Sequence, residues 1–200
     1  MALPEAAEVA IPPGTRVFLP GDVAAIRATP PQPGYADTAA DDAAFLIYTS
    51  GTTRQPKGVL HAHRSAWGRR PTYAGWSGIG AGDVMLHAGA FNWSYTLSAG
   101  LADPWANGAT AVLFHGEREA GVWAKLIAAT GATLFAAVPG VYRQMLRDGA
   151  IARGTGRLRH GLVAGEALPP PLLEAWRAAT GLPLYEAFGM SECSTFVSNH

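Results

Sequence analysis

One lysine stands among hydroxyls and glycines in the stretch Tyr48-Thr-Ser-Gly-Thr-Thr-Arg-Gln-Pro-Lys-Gly-Val-Leu-His61, directly after the apolar run Ala44-Phe-Leu-Ile-Tyr48. A loop of that composition at the end of a strand offers backbone N–H groups, side-chain hydroxyls and one ammonium to the same small volume. Its small residues leave room for close approach. Those are the requirements of a polyphosphate site. The pattern departs from the P-loop, because Pro56 stands where that motif has its second glycine and Gly58 where it has the Ser or Thr that meets magnesium. It therefore reads as a phosphate loop of another kind, and the competing reading is a Ser/Thr/Gly surface loop between strands.

Two later segments add to it. Gly165-Glu-Ala-Leu168 follows the apolar Gly161-Leu-Val-Ala164 and precedes a helical pattern. A glycine at the C-terminal end of a parallel strand lets a flat base lie against the backbone, where open α/β sheets bind ligands. The plain alternative is a strand–helix turn closed by Pro169. The third segment is Tyr185-Glu-Ala-Phe-Gly-Met-Ser-Glu192.

In this order the three segments resemble the signatures of the adenylate-forming (AMP-binding) ligase superfamily, which includes acyl-CoA synthetases, luciferases and the adenylation domains of peptide synthetases. The resemblance runs from about Asp41 onward and is closest to acyl-CoA synthetases. It implies that Thr49, Ser50, Gly51, Thr52, Thr53 and Lys57 form the loop over the ATP phosphates. It implies that Gly165, Glu166 and Ala167 line the adenine and that Phe188 stacks on it beside Gly189. Ser191 would contact the α-phosphate and Glu192 would bind Mg²⁺, so Lys57, Ser191 and Glu192 carry the catalytic roles. Such a centre suits carboxylate attack on the α-phosphorus, which builds charge that a metal and hydrogen-bond donors must neutralise. Arg54 departs from the family's usual glycine. Either it costs about 1 kcal/mol where the backbone needs a positive φ, or its guanidinium adds a phosphate contact.

Amino-acid-activating relatives carry an aspartate at the position of Asn92, where it pairs with the substrate's ammonium. Asparagine supplies no such charge, which argues against an α-amino acid. Asn92, Trp93, Val138 and Pro139, with Tyr95, are assigned to an acyl or aryl pocket, against the plain reading of core aromatics. His61 and His63 share a strand face, yet no third metal ligand lies nearby in sequence, so they read as surface or supporting histidines. His87, His115 and His160 are isolated.

Positioning such groups calls for alternating strands and helices. Apolar runs at 44–48, 84–88, 109–114, 133–138, 161–164 and 183–188 predict buried strands. Val122, Trp123, Leu126 and Ile127 make an apolar face at helical spacing, as do Val141, Tyr142, Met145 and Leu146, and Leu172, Leu173, Trp176 and Ala179. Pro139 and Pro169 to Pro171 suit helix first turns, and Gly149 and Gly181 suit helix ends. The fold class is α/β, a largely parallel sheet with helices on both faces. Residues 1–40, rich in Pro and Ala, read as a partly extended lead-in with a short strand at Thr15–Leu19. Residues 41–200 read as the AMP-binding core.

With 200 residues, 48% of them hydrophobic, the chain can bury a large core. A net charge of zero gives no electrostatic case for nucleic acid. No apolar run approaches the ~20 residues that span a bilayer, and the N-terminus lacks the make-up of a signal peptide. Cys193 is the only cysteine, which excludes an internal disulfide, fits the cytoplasm and reads as a small buried thiol. The family's ribose-binding aspartate and C-terminal lysine domain have no counterpart before His200. The reading is thus a central piece of an enzyme that uses ATP, Mg²⁺ and CoA to convert a small carboxylic acid to its thioester, inactive as residues 1–200 alone. Alternatives are an adenylation domain that loads a carrier protein and a non-catalytic nucleotide-binding module.

Overall fold

The computed structural model describes residues 12–31, 33–49, 56–119, 121–151 and 155–198. They fall into two compact units, 1–37 and 38–200. In the first, a 3₁₀ turn at Pro20–Asp22 leads into a short helix, α1 (Val23–Arg27). The Asp22 carboxylate accepts the Leu19 N–H at 2.7 Å. The strand expected at Thr15–Leu19 does not form. Val17, Phe18 and Leu19 are exposed, and the ends of the segment bond locally, Thr15 N–H to the Pro12 carbonyl and Leu19 N–H to Asp22, rather than to a neighbouring strand.

The second unit opens with an antiparallel pair, β1 (Ala43–Thr49) and β2 (Lys57–Ala62), in which Thr49 faces Lys57 across the ladder. The run at 44–48 was expected to be a buried strand. It forms a strand, but it stands outside the main sheet and only Ile47 is buried. Leu46 and Tyr48 point away from the core, as the two-residue period of a one-sided ribbon requires.

Helices α2 (Arg64–Gly68) and α3 (Arg70–Thr72) then run into a π-helical turn at Tyr73–Ser77. After β3 (Val84–His87), α4 (Ser94–Leu97) continues through a second π turn, Ser98–Ala102, into α5 (Asp103–Ala106). The chain alternates from there: β4 (Thr110–Val112), α6 (Val122–Thr130), β5 (Leu134–Ala137), α7 (Pro139–Arg147), β6 (His160–Val163), α8 (Pro170–Thr180), β7 (Leu184–Met190) and β8 (Ser194–Ser198). Among the described residues the main sheet has the order β4-β3-β5-β6-β7-β8. All its pairs are parallel except β7 with β8. The expected mixed α/β fold, mostly parallel, is the one present.

Alternation along the strands sorts side chains to two faces. Phe135 and Ala137 join Leu86, Val163, Tyr142 and Trp176 under α6, α7 and α8. Leu134 and Ala136 join Met85, Leu162, Trp76 and Ala99 under the π-containing helices. Those π-containing helices, 64–77 and 94–106, escape the sequence reading. Each π turn inserts an extra residue and shifts the apolar period, so no single 3.6-residue stripe runs through. Where no such turn intervenes the reading works: α7 begins at Pro139, and Gly181, at φ +73°, closes α8 by donating to the Arg177 carbonyl at 2.8 Å. Gly161 is a point of close approach between layers. A Cβ there would lie 2.4 Å from Leu184 and 2.5 Å from the Tyr142 hydroxyl, which bridges the Phe135 and Leu162 carbonyls.

Candidate functional site

A cavity of about 550 Å³ opens at the C-terminal ends of β6 and β7, with the end of β1 as one wall. Gly165 lines it just beyond β6 at φ +92°, a conformation suited to glycine. The turn that follows is pinned from the neighbouring strand, because the Glu186 carboxylate accepts the Leu168 N–H at 2.7 Å. Gly189 and Ser191 come from the end of β7, Thr49 from β1, and Asn92, Trp93 and Ser94 from the start of α4.

Of the residues singled out in the sequence, Thr49, Asn92, Trp93, Gly165, Gly189 and Ser191 therefore meet in one cavity. Lys57, Glu166, Ala167, Phe188 and Glu192 are exposed and do not line it. Lys57 sits at the head of β2, Glu166 and Ala167 in the turn after β6, Phe188 on β7, and Glu192 in the turn between β7 and β8. Val138 lines a smaller neighbouring cavity, and Pro139 is buried in the first turn of α7. Ser50, Gly51, Thr52 and Thr53 lie outside the described residues, as does Arg54. Cys193 is not the buried thiol expected: it is exposed, because it lies on the surface turn between β7 and β8.

Arg69 and Ser94 give no signal in the sequence, whereas His61 takes one of the two roles expected of it, that of a supporting histidine. Arg69 lines the cavity and is buried, held by Asp103 through Nε at 2.8 Å and Nη2 at 2.5 Å. Burial pushes the Asp103 carboxyl up, and the Arg69 hydrogen bonds and charge pull it back. Through Nη1 the same guanidinium donates to the Ser194 hydroxyl. Ser194 has φ +61°, a conformation that costs a non-glycine residue about 1 kcal/mol. Arg69 thus fastens the turn that carries Ser191 and Glu192. His61 fastens it from the other side: its ring stacks on Phe45 at 4.7 Å and its Nε2 donates to the Ser191 carbonyl at 2.6 Å. Ser94 and Ser191 place their hydroxyls 3.4 Å apart. These partners are 34, 97, 125 and 130 residues apart in the chain, beyond the reach of any local motif.

The family model of the AMP-binding enzymes matches residues 6–200. The chain belongs to that family. AMP-binding relatives include the 3-hydroxybenzoate–CoA ligase of Aromatoleum sp. (strain CIB), 34% identical over 155 residues, which cover 77% of this chain and 30% of that protein. The benzoate–CoA ligase of Thauera aromatica is 35% identical over 167 residues, covering 82% and 32%. Among solved structures, the anthranilate CoA ligase AuaEII in complex with anthranoyl-AMP superposes with a TM-score of 0.82 at 30% identity, covering 88% of this chain and 34% of that one. The chain spans about a third of the length of these AMP-binding relatives. Among its described residues no helix is long and apolar enough to cross a membrane.

Proposed function

We propose that this chain supplies the nucleotide- and acid-binding part of an AMP-forming carboxylate–CoA ligase. In the first half-reaction a carboxylate oxygen of the acid attacks the α-phosphorus of ATP. The bond from that phosphorus to the pyrophosphate oxygen breaks, leaving an acyl-adenylate. In the second, the thiol of CoA attacks the acyl carbon, loses its proton, and AMP departs.

The observation that carries this reading is the convergence of Thr49, Gly165, Gly189 and Ser191, from all three sequence segments, on one cavity at the strand ends. Open α/β sheets hold their ligands there, and the volume is that of a small-molecule site. The adenine would lie along the Gly165–Ala167 turn, with Phe188 against it. The Ser191 hydroxyl would donate to the α-phosphate, and Asn92 and Trp93 would bound the acid. Lys57, opposite Thr49 on the ribbon, would follow the departing pyrophosphate as a point charge.

Mg²⁺ commonly takes only one or two protein carboxylates and completes its shell with phosphates and water. A single exposed Glu192 beside Ser191 fits that donor set. Bound there, the ion would neutralise charge on the phosphates. The relatives named above act on aryl acids and CoA, which supports the same classes of substrate here. Incubating the complete enzyme with an acid, ATP and CoA should yield acyl-CoA and AMP in equal amounts. Release of ADP in place of AMP would refute the reading.

A further inference from the structure

Of the described residues that line the large cavity, Arg69 alone is charged. Its side chain is 7% exposed, and that of its counter-ion Asp103 is 3% exposed. Asp103 does not line the cavity. The carboxylate therefore sits behind the guanidinium, and the pair turns its positive end to the cavity.

A guanidinium carries five N–H donors. Asp103 takes two of them, from Nε and Nη2, and the Ser194 hydroxyl takes one from Nη1. Two remain without a partner among the described residues, one on each terminal nitrogen. Ser194 lines the cavity where Asp103 does not, so the Nη1 edge is the one on the cavity side. The fork to Asp103 fixes the guanidinium plane, which holds the unspent donors in place before any ligand arrives. Ser194 also closes the turn that begins at Ser191, and this brings the guanidinium beside the residue assigned to the α-phosphate.

In the reaction proposed above, a carboxylate and a triphosphate meet in this cavity, and both are anions. Their repulsion grows away from bulk water, and fixed donors aimed at the charge relieve it. Lys57 and Glu192 do not line the cavity. Among the described residues the cation that does is Arg69.

We propose that Arg69 binds a ligand oxyanion at the reacting centre through its unspent N–H groups. That oxyanion is the carboxylate of the acid or the α-phosphate of the nucleotide, each of which offers a guanidinium an anionic oxygen in place of a neutral one. The assignment deepens the ligase reading above by naming the group that meets this charge, and it places no demand on the rest of the acid.

Calorimetric titration of the complete enzyme with two matched pairs, benzoate with benzamide and AMP with adenosine, reads the preference and identifies its source. In the wild type at least one anion should bind about tenfold or more tightly than its neutral partner. Arg69→Met combined with Asp103→Leu removes the whole ion pair, because removing one partner alone strands a buried charge while apolar replacement of both is tolerated. That double variant should lower the ratio about tenfold. A fall in the benzoate ratio assigns the carboxylate, and a fall in the AMP ratio assigns the phosphate. Arg69→Lys keeps the charge without the fork and should lower the same ratio about threefold, which supplies the test if the double variant does not fold. Ser194→Gly suits the local φ of +61° and removes only the hydroxyl, so the ratio should stay within about threefold of wild type. No anion preference in the wild type, or one undiminished by loss of the guanidinium, would overturn the proposal. An equal fall in Ser194→Gly would overturn it too, since Arg69 would then act through the turn alone. The expected ratios without formation of AMP from acid, ATP and CoA would refute the ligase reading and leave the oxyanion site standing.

Discussion

The imidazole Nε2 of His61 lies 2.6 Å from the carbonyl oxygen of Ser191, across 130 residues of sequence. One strand of the outlying ribbon thereby fixes the backbone of the turn that presents Ser191 and Glu192. The ring donates to the backbone and does not line the cavity, so its role is to position. His61→Phe keeps a ring to stack on Phe45 and removes the hydrogen bond, which is worth about 1 kcal/mol. Adenylate formation should slow about five- to tenfold through kcat, with KM for the acid nearly unchanged and the fold retained by circular dichroism. An unchanged kcat would show that the turn needs no such tether.

Lys57 should act on the phosphates although it does not border the cavity. It heads β2 and pairs with Thr49, the last residue of β1. Lys57→Ala should reduce pyrophosphate exchange about ten- to a thousandfold, the range expected for losing one charged transition-state contact. Unchanged exchange would remove Lys57 from the site.

Asn92 lines the large cavity and carries no charge. The enzyme should therefore activate simple aryl or aliphatic acids and ignore the α-amino acids of matching shape, whose ammonium would be desolvated without a partner. Comparable kcat/KM for an amino acid and its des-amino analogue would overturn this.

His87 gives stability a pH dependence of definite sign. Its pKa falls from an ordinary 6.5 to about 3 on folding because burial disfavours the imidazolium. Between those values the unfolded chain binds the additional proton. The stabilisation of the neutral ring is thus fully present above pH 6.5 and lost progressively as pH falls towards 3. Tyr95 packs on this ring, and Arg118 lines the smaller cavity that His87 also borders. By scanning calorimetry Tm should drop from pH 7 to pH 5, and His87→Phe should flatten that slope. Equal slopes would contradict a buried neutral His87.

The features legible in the sequence are those set by local rules. Phe135 and Leu134 alternate between two cores because strand side chains alternate. Gly165 stands where φ is +92°, and Pro139 and Gly181 mark helix ends. Thr49, Gly165 and Ser191, which line the large cavity, stand out in the sequence because each belongs to a local motif. Arg69 and Ser94 were not, since each meets its partner only after the chain has folded, and for the same reason His61 could be read as a supporting histidine but not assigned its partner. β2 and β8 were missed for a related reason. Each is a strand of an antiparallel pair in which no described side chain is buried, so neither shows the apolar run that betrays a buried parallel strand.

Attack of the acid on the α-phosphorus is the proposed central step, and isotope exchange reads that bond directly. With the complete enzyme, Mg²⁺, ATP and a simple aryl or aliphatic acid, labelled pyrophosphate should enter ATP only when the acid is present, with no need for CoA. Glu192→Ala and Ser191→Ala should each depress that exchange by about a hundredfold. Exchange that proceeds without acid, or acid turnover with no label in ATP, would contradict activation of the acid as its adenylate.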